Sequence, residues 1–230
     1  MAKTILVVGF GPGISTAVAS KFGAAGFAVA LVARNAERLA AGVAALKADG
    51  VTAAAFPANA GDPASLGAAI GKARSELGPI TVIHWNAYGG AEAGDLMATD
   101  PVAVRGLFDV AVVGLLAAVQ AALPDLKSTA DGAVLVTNGA FGEMSPQMDA
   151  LSVSLKTMGV ALANAAKAKL VGLLAQALKD EGVYVGEVMV AGLVKGTAWD
   201  TGGAGIEAST VANAFWDLYQ ARDQVRARVS

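Results

Sequence analysis

Three glycines in five residues close the first apolar run of the chain, Ile5-Leu6-Val7-Val8-Gly9-Phe10-Gly11-Pro12-Gly13-Ile14-Ser15. Glycine turns where a Cβ would collide and lets backbone N–H groups approach a pyrophosphate. The helix expected from Ile14 points its N-terminus, with unpaired donors and partial positive charge, at the same anion. The spacing Gly9-xxx-Gly13-x-Ser15, with Gly11 inside it, predicts a dinucleotide site. The plain alternative is an ordinary strand–turn–helix, in a chain where 28 of 230 residues are glycine.

Composition bounds the rest. The chain is 55% hydrophobic and 16% charged, more apolar than one solvated surface needs, so some helix faces are expected to be buried between subunits. Net charge is −2 and the basic residues are scattered, which argues against nucleic acid as a partner. There is no cysteine, so thiolate catalysis and Cys-based zinc sites are excluded and no metal site is expected. With the first strand expected directly after Met1-Ala2-Lys3, no signal peptide is expected. The most apolar stretch, Val110 to Val119, is shorter than the roughly 20 residues a bilayer span needs. A soluble, cytoplasmic protein acting on a small molecule is expected, without a membrane partner.

Apolar runs alternate with helical patterns along the whole chain. Strands are expected at Phe27–Val32, Val51–Phe56, Ile80–Trp85, Ala133–Thr137 and Val183–Val190 after the first, with a short seventh at Gln224–Val229. Helices are expected over Ile14–Ala25, Ala36–Ala48, Pro63–Leu77, Pro101–Leu123, Val160–Asp180 and Glu207–Ala221. Gly-rich loops follow Trp85 and Val190, and 138–159 reads as irregular or briefly helical. Strands without polar alternation mean a parallel sheet covered on both faces. The fold class is α/β: one domain over 1–230, a Rossmann-type doubly wound parallel sheet of six or seven strands with helices on both faces. Ligands bind such sheets beyond the C-terminal strand ends, where strand order reverses.

In their order and spacing these residues resemble the short-chain dehydrogenase/reductase family over nearly the whole chain. Gly9-xxx-Gly13-Ile14-Ser15 resembles its GxxxGxG, with Ser15 for the last glycine. Asn59, in Ala58-Asn59-Ala60-Gly61-Asp62, stands where the family has an acidic residue that contacts adenine. Trp85-Asn86-Ala87-Tyr88 is similar to the family's Asn-Asn-Ala-Gly, matching at Asn86 and Ala87. Ala191-Gly192 resembles its Pro-Gly, and Thr197 lies near the threonine that supports the nicotinamide carboxamide. Where an NAD-selective member carries a carboxylate for the ribose, this chain has Ala33 followed by Arg34. A guanidinium there pairs with a 2′-phosphate, so the resemblance implies NADP(H) rather than NAD(H). The alternative for Arg34 is a solvated side chain at a strand end.

The resemblance also implies a hydride transfer to or from a small carbonyl or alcohol, for which the family uses a tyrosine, a lysine four residues later and a serine. The three tyrosines do not supply the pair: Tyr88 is followed four residues on by Glu92, Tyr184 by Val188 and Tyr219 by Asp223. Gly139 stands at the serine position and Ala111 at that of a relay asparagine. Three registers are open for the tyrosine and lysine positions: Ser152 with Lys156, Val160 with Asn164, and Ala163 with Lys167. The third is favoured because the residues after Lys167 look most like the family's helix. Candidate catalytic groups are Tyr88, Ser152, Lys156 and Lys167; the alternatives are a surface loop tyrosine, a serine without an activating base, and helix-surface lysines. His84, the one histidine, reads as structural. Met144, Met148 and Met158 read equally as a flexible lid or as gap-filling. Two functions stay open: an oxidoreductase with a non-standard proton donor, and a catalytically impaired NADP(H)-binding protein with a sensor or assembly role. Family members pair subunits through helices matching 101–123 and 160–180, which implies a homodimer or homotetramer here, unless 138–159 covers the second helix.

Overall fold

The computed structural model describes residues 3–89, 93–203 and 205–230. Parts of the two Gly-rich loops expected after Trp85 and Val190 lie outside the described residues. Seven strands, β1 (Thr4–Val8), β2 (Ala28–Ala33), β3 (Ala53–Pro57), β4 (Ile80–Trp85), β5 (Ala133–Gly139), β6 (Tyr184–Val190) and β7 (Arg226–Val229), form one parallel sheet in the order β3-β2-β1-β4-β5-β6-β7. The order reverses between β1 and β4, so both strand ends open into the crevice typical of a doubly wound Rossmann-type sheet.

The sheet divides two cores by the two-residue period of its strands. Leu6 and Val8 of β1 face one side with Trp85, Leu115, Ala118, Val171 and Leu174. Ile5 and Val7 face the other with Phe22, Leu31, Leu39, Phe215 and Leu218. Helices α3 (Pro63–Leu77), α5 (Leu115–Lys127) and α7 (Met158–Leu178) cover the first side; α1 (Ile14–Ala24), α2 (Ala36–Ala48) and α8 (Ala208–Ala221) cover the second. Helix starts follow local chemistry. The Asn35 side chain accepts from Arg38 N at 2.7 Å, and Asp62, ahead of Pro63, accepts from Ala64 N and Ser65 N.

Two stretches depart from the sequence expectation. The helix expected over 101–123 is instead α4 (Arg105–Phe108), a π-helical turn over Asp109–Gly114, and α5 running on to Lys127. A Cβ on Gly114 would lie 1.8 Å from Ala60 O, so the glycine is what lets this helix approach the β3–α3 loop. Pro124 sits inside α5 rather than ending it. Tertiary bonds hold the last turn: Asp125 Oδ2 accepts from Arg74 Nε at 2.7 Å and from Ile80 N at 3.2 Å, while Arg74 Nη2 donates to Ala121 O at 2.8 Å. The stretch 138–159 is also more ordered than expected. It finishes β5, makes a short 3₁₀ turn at Ala140–Gly142 and forms α6 (Pro146–Ser154). Ser145 caps α6 through Met148 N, and Pro146 opens it.

The membrane expectation needs correction on length. Arg105–Lys127 and Met158–Glu181 are, by length and composition, long and apolar enough to cross a bilayer. In this fold part of their apolar surface lines the core: Leu115, Val119, Ala122 and Leu126 from one, Val171, Leu174 and Leu178 from the other. Ala111, Gly114, Leu115 and Ala118, on the first of the helices expected to pair subunits, are buried within the subunit. On α7, Leu162 and Leu173 remain exposed, and α6 does not cover them.

Candidate active site

The glycine turn lies where β1 ends, under two other strand ends. Gly9 (φ +83) and Gly13 (φ +85) both occupy the left-handed side of backbone space. A Cβ on Gly9 would come within 2.4 Å of Ala87 N, and one on Gly13 within 2.5 Å of Thr197 Cγ2. The three segments therefore close on each other only because these positions are bare. Gly13 starts α1 with no side-chain cap, which leaves the first N–H groups of the helix open to an anion. Ser15 is fully buried and ties the loop to itself, accepting from Gly11 N and donating to Gly11 O, both at 2.9 Å. It shapes the turn, and Ile14 beside it is buried as well.

The other expected cofactor positions gather around this turn. Asn86 N donates to Val8 O at 2.8 Å, and its side-chain Nδ2 reaches Gly9 O at 3.4 Å. Thr197 is held over Gly13 by donating to Val194 O at 2.7 Å. Gly192, at the start of the same loop, is exposed and packs toward Ile206. Asn59 is exposed at the end of β3, with Oδ1 accepting from Gly61 N at 3.1 Å. Arg34 is exposed one residue beyond β2. Arg38, which sequence reasoning missed, brings Nη1 to 3.6 Å from the Cβ position of Gly11. Its signal was available: one helical turn after Arg34, an N-capped helix points Arg38 back at the glycines. Bare glycines, an uncapped helix start and two guanidinium groups fit a dinucleotide with a phosphorylated ribose.

No hydrogen bond joins the catalytic candidates to one another among the described residues. Tyr88 is exposed and tilts toward Trp199, ring centroids 6.3 Å apart, so the pair bridges the β4 and β6 loops beside the turn. Trp199 is a second residue the sequence reading missed. Ser152 is buried in α6 with its hydroxyl unpaired among the described residues. Lys156 is exposed between α6 and α7, with φ +51, and its carbonyl packs on Gly94. Of the expected lid methionines, Met144 is almost wholly exposed. His84 is fully buried, packs edge-on against Phe215 at 4.7 Å and shares a 3.1 Å hydrogen bond with Thr137 Oγ1. Burial pushes its pKa down to about 3, so the ring is neutral and structural.

Lys167 is not a surface lysine. It is buried in the α7–sheet layer near Glu187, itself fully buried on β6. Glu187 accepts from Asn138 Nδ2 at 2.5 Å and pairs with Arg226 of β7. A single carboxylate inside the run Val185–Val190 was the sequence signal for this cluster. Burial draws the Lys167 pKa down to about 8, with Glu187 pulling it up by less. The unfolded amine keeps its ordinary value near 10.5. Between those values the unfolded chain binds the extra proton, so stability rises with pH from 8 toward 10.5, by about 3 kcal/mol in all. Below pH 8 the whole cost of the buried charge is present. Urea unfolding of the parent and of Lys167→Met at pH 7, 8, 9 and 10 checks this. The rise belongs to the parent, and a parent as flat as the variant would contradict it.

Among the three registers, the structure brings Asn164 to Gly139. A Cβ on Gly139 would lie 2.7 Å from Asn164 Nδ2. Lys167 lies one helical turn further on, away from that strand end. A separate hollow lined by Lys3, Phe27, Asp131, Trp216, Tyr219 and Arg222 lies at the opposite, N-terminal edge of the strands.

A sequence model of the short chain dehydrogenases matches residues 3–202. No curated protein matches the chain. Similar solved structures include a short chain dehydrogenase from Burkholderia cenocepacia J2315 in complex with NADP, at 24% identity and TM-score 0.87, over 99% of this chain and 96% of that one. An NADPH-bound short chain oxidoreductase from Pseudomonas aeruginosa PAO1, containing an atypical catalytic center, is 23% identical with TM-score 0.86, over 100% of this chain and 95% of that one. L-sorbose reductase from Gluconobacter frateurii, complexed with NADPH and L-sorbose, is 19% identical with TM-score 0.86, over 100% and 96%. At these identities the likeness is one of fold.

Proposed function

The chain belongs to the short-chain dehydrogenase family, and from that premise we propose that it is an NADP(H)-dependent oxidoreductase of small carbonyl or alcohol substrates with a non-standard proton donor. The observation that carries the reading is the bare glycine turn with Arg38 at its rim and Arg34 beyond β2. Gly9 to Gly13 and the open start of α1 would hold the pyrophosphate. Arg34 and Arg38 would pair with the 2′-phosphate, which NADH lacks. Asn59 would face the adenine, Asn86 and Ala87 the nicotinamide ribose, and Gly192 and Thr197 the nicotinamide. Relatives solved with NADP or NADPH support the same choice.

When bound, the nicotinamide supplies or accepts the hydride. The chain's own part is to hold the acceptor carbon near it, polarise the oxygen and limit water. Tyr88 and Trp199, exposed and with their rings 6.3 Å apart, would form an aromatic rim beside it. With no tyrosine followed four residues on by a lysine, water is the final proton source in this reading. The missing tyrosine also supports a second reading, a catalytically impaired NADP(H)-binding protein with a sensor or assembly role. Leu162 and Leu173, exposed on α7, support pairing of copies into a homodimer or homotetramer. We place the protein in the cytoplasm.

The test is NADPH oxidation, followed at the nicotinamide absorbance, against a panel of small ketones, aldehydes and ketoses. Carbonyl-dependent oxidation by the unmodified protein is expected, slow beside members that keep the tyrosine. Tight NADPH binding with no turnover across the panel would favour the second reading.

A further inference from the structure

The end of β5 is bare where the family carries a serine, and another polar group fills the gap. Gly139 has no side chain, and the Asn164 amide stands in front of it, 2.7 Å from where a Cβ would be. The fit is built from both sides. Gly142 lies against the backbone of Asn164 and Ala165, where its own Cβ would meet Ala165 N at 2.7 Å. Asn138 clamps the arrangement: its Nδ2 donates to Asn164 O at 3.0 Å and to Glu187 Oε1 at 2.5 Å, and its Oδ1 accepts from Gly139 N at 3.0 Å. Glu187 is in turn fixed by Arg226.

Asn164 is itself only 6% exposed. Its main-chain carbonyl is engaged, yet its side-chain amide makes no hydrogen bond to any described residue. The amide is not one of the side-chain atoms that are both fully enclosed and unpaired among the described residues, so the little area Asn164 exposes leaves its donor open to something that enters. It stands beside Gly139 at the C-terminal end of β5, the same end of the sheet that carries the glycine turn.

Resting on the reading above, we propose that Asn164 is the group that binds the substrate oxygen, its Nδ2 donating to the carbonyl where the family uses a serine hydroxyl. A fixed donor aimed at an oxygen gains strength as negative charge develops there during hydride transfer. The amide is neutral and gives up no proton. The hydride adds to the carbonyl carbon, the C=O π pair moves to oxygen, and water protonates the resulting alkoxide. Asn138 and Glu187 are positioning residues that set the Asn164 main chain.

Asn164→Asp tests this with almost no change in shape. An ionised carboxylate accepts and cannot donate, so kcat/KM falls about 100-fold near pH 8. Activity then recovers as pH drops and the carboxyl gains a proton to donate, a trend that a purely structural role would not produce. NADPH affinity stays within about twofold, which separates the effect from loss of fold, and Asn164→Ser, which keeps a donor, retains more activity than Asn164→Asp. Independently of turnover, the side-chain amide signal of Asn164 in ¹⁵N-labelled protein, identified by its absence in Asn164→Asp, is followed while cyclohexanone or hydroxyacetone is added to the NADP⁺ complex. The signal is expected to shift with saturation. If it shifts and the protein never oxidises NADPH, the oxygen site stands and the oxidoreductase reading fails. If NADPH is oxidised equally by parent and Asn164→Asp at every pH, the assignment to Asn164 is overturned while the oxidoreductase reading survives. An amide unmoved by either probe in an inactive protein overturns both.

Discussion

Gly13→Val is expected to reduce NADPH affinity by at least about 100-fold, close to 3 kcal/mol. Two effects add. The backbone at Gly13 has φ +85, where a β-branched residue is strained by about 1–3 kcal/mol. The new Cβ would also start 2.5 Å from Thr197 Cγ2, so the Thr197 side chain or its loop must shift away from the helix start. The branch atoms then occupy the mouth of α1, where the uncapped N–H groups are offered to the pyrophosphate. Fluorescence titration with NADPH reads the loss, and a thermal melt separates it from unfolding. Parent-like affinity in a folded Gly13→Val protein would remove the pyrophosphate from this turn.

The second large effect is on the choice between cofactors. Arg34→Ala and Arg38→Ala should each weaken NADPH by about 1–3 kcal/mol, as expected for a charge-assisted contact with a phosphate, and leave NADH nearly unchanged. The double variant should bring the two cofactors to near parity. Both side chains are exposed, so the selectivity of the parent should also shrink as salt is raised. Titrations of NADPH and NADH into the parent, the single variants and the double variant at low and high salt provide the comparison. A double variant that still prefers NADPH by the parental factor would place the 2′-phosphate elsewhere.

Much of the scaffold was legible because its causes are local. The helix Ala36–Ala48 and the strand Ile80–Trp85 match expectation to the residue, since Asn35 caps one and an unbroken apolar run defines the other. The glycine turn was equally legible, because backbone approach leaves a mark in composition. Other features depend on partners far along the chain. Pro124 signals a helix stop, and only the clasp between Arg74 and Asp125 carries α5 past it. The π-helical turn depends on Gly114 meeting the Ala60 carbonyl, a contact between residues 54 positions apart. The catalytic region was the least legible for the same reason. Lys167 reads as a surface lysine until the sheet is laid against α7 and Glu187 appears beside it. Asn164 is unremarkable in sequence, and becomes a candidate only when Gly139 and Gly142 are seen to make room for it.

Titration of NADPH and NADH into the unmodified protein, followed by nicotinamide fluorescence, tests the cofactor assignment on which the oxidoreductase reading rests. Saturable binding of NADPH is expected, at least about tenfold tighter than NADH, a difference of about 1.4 kcal/mol. Equal affinity for the two, or no saturation by either at millimolar concentration, would contradict it.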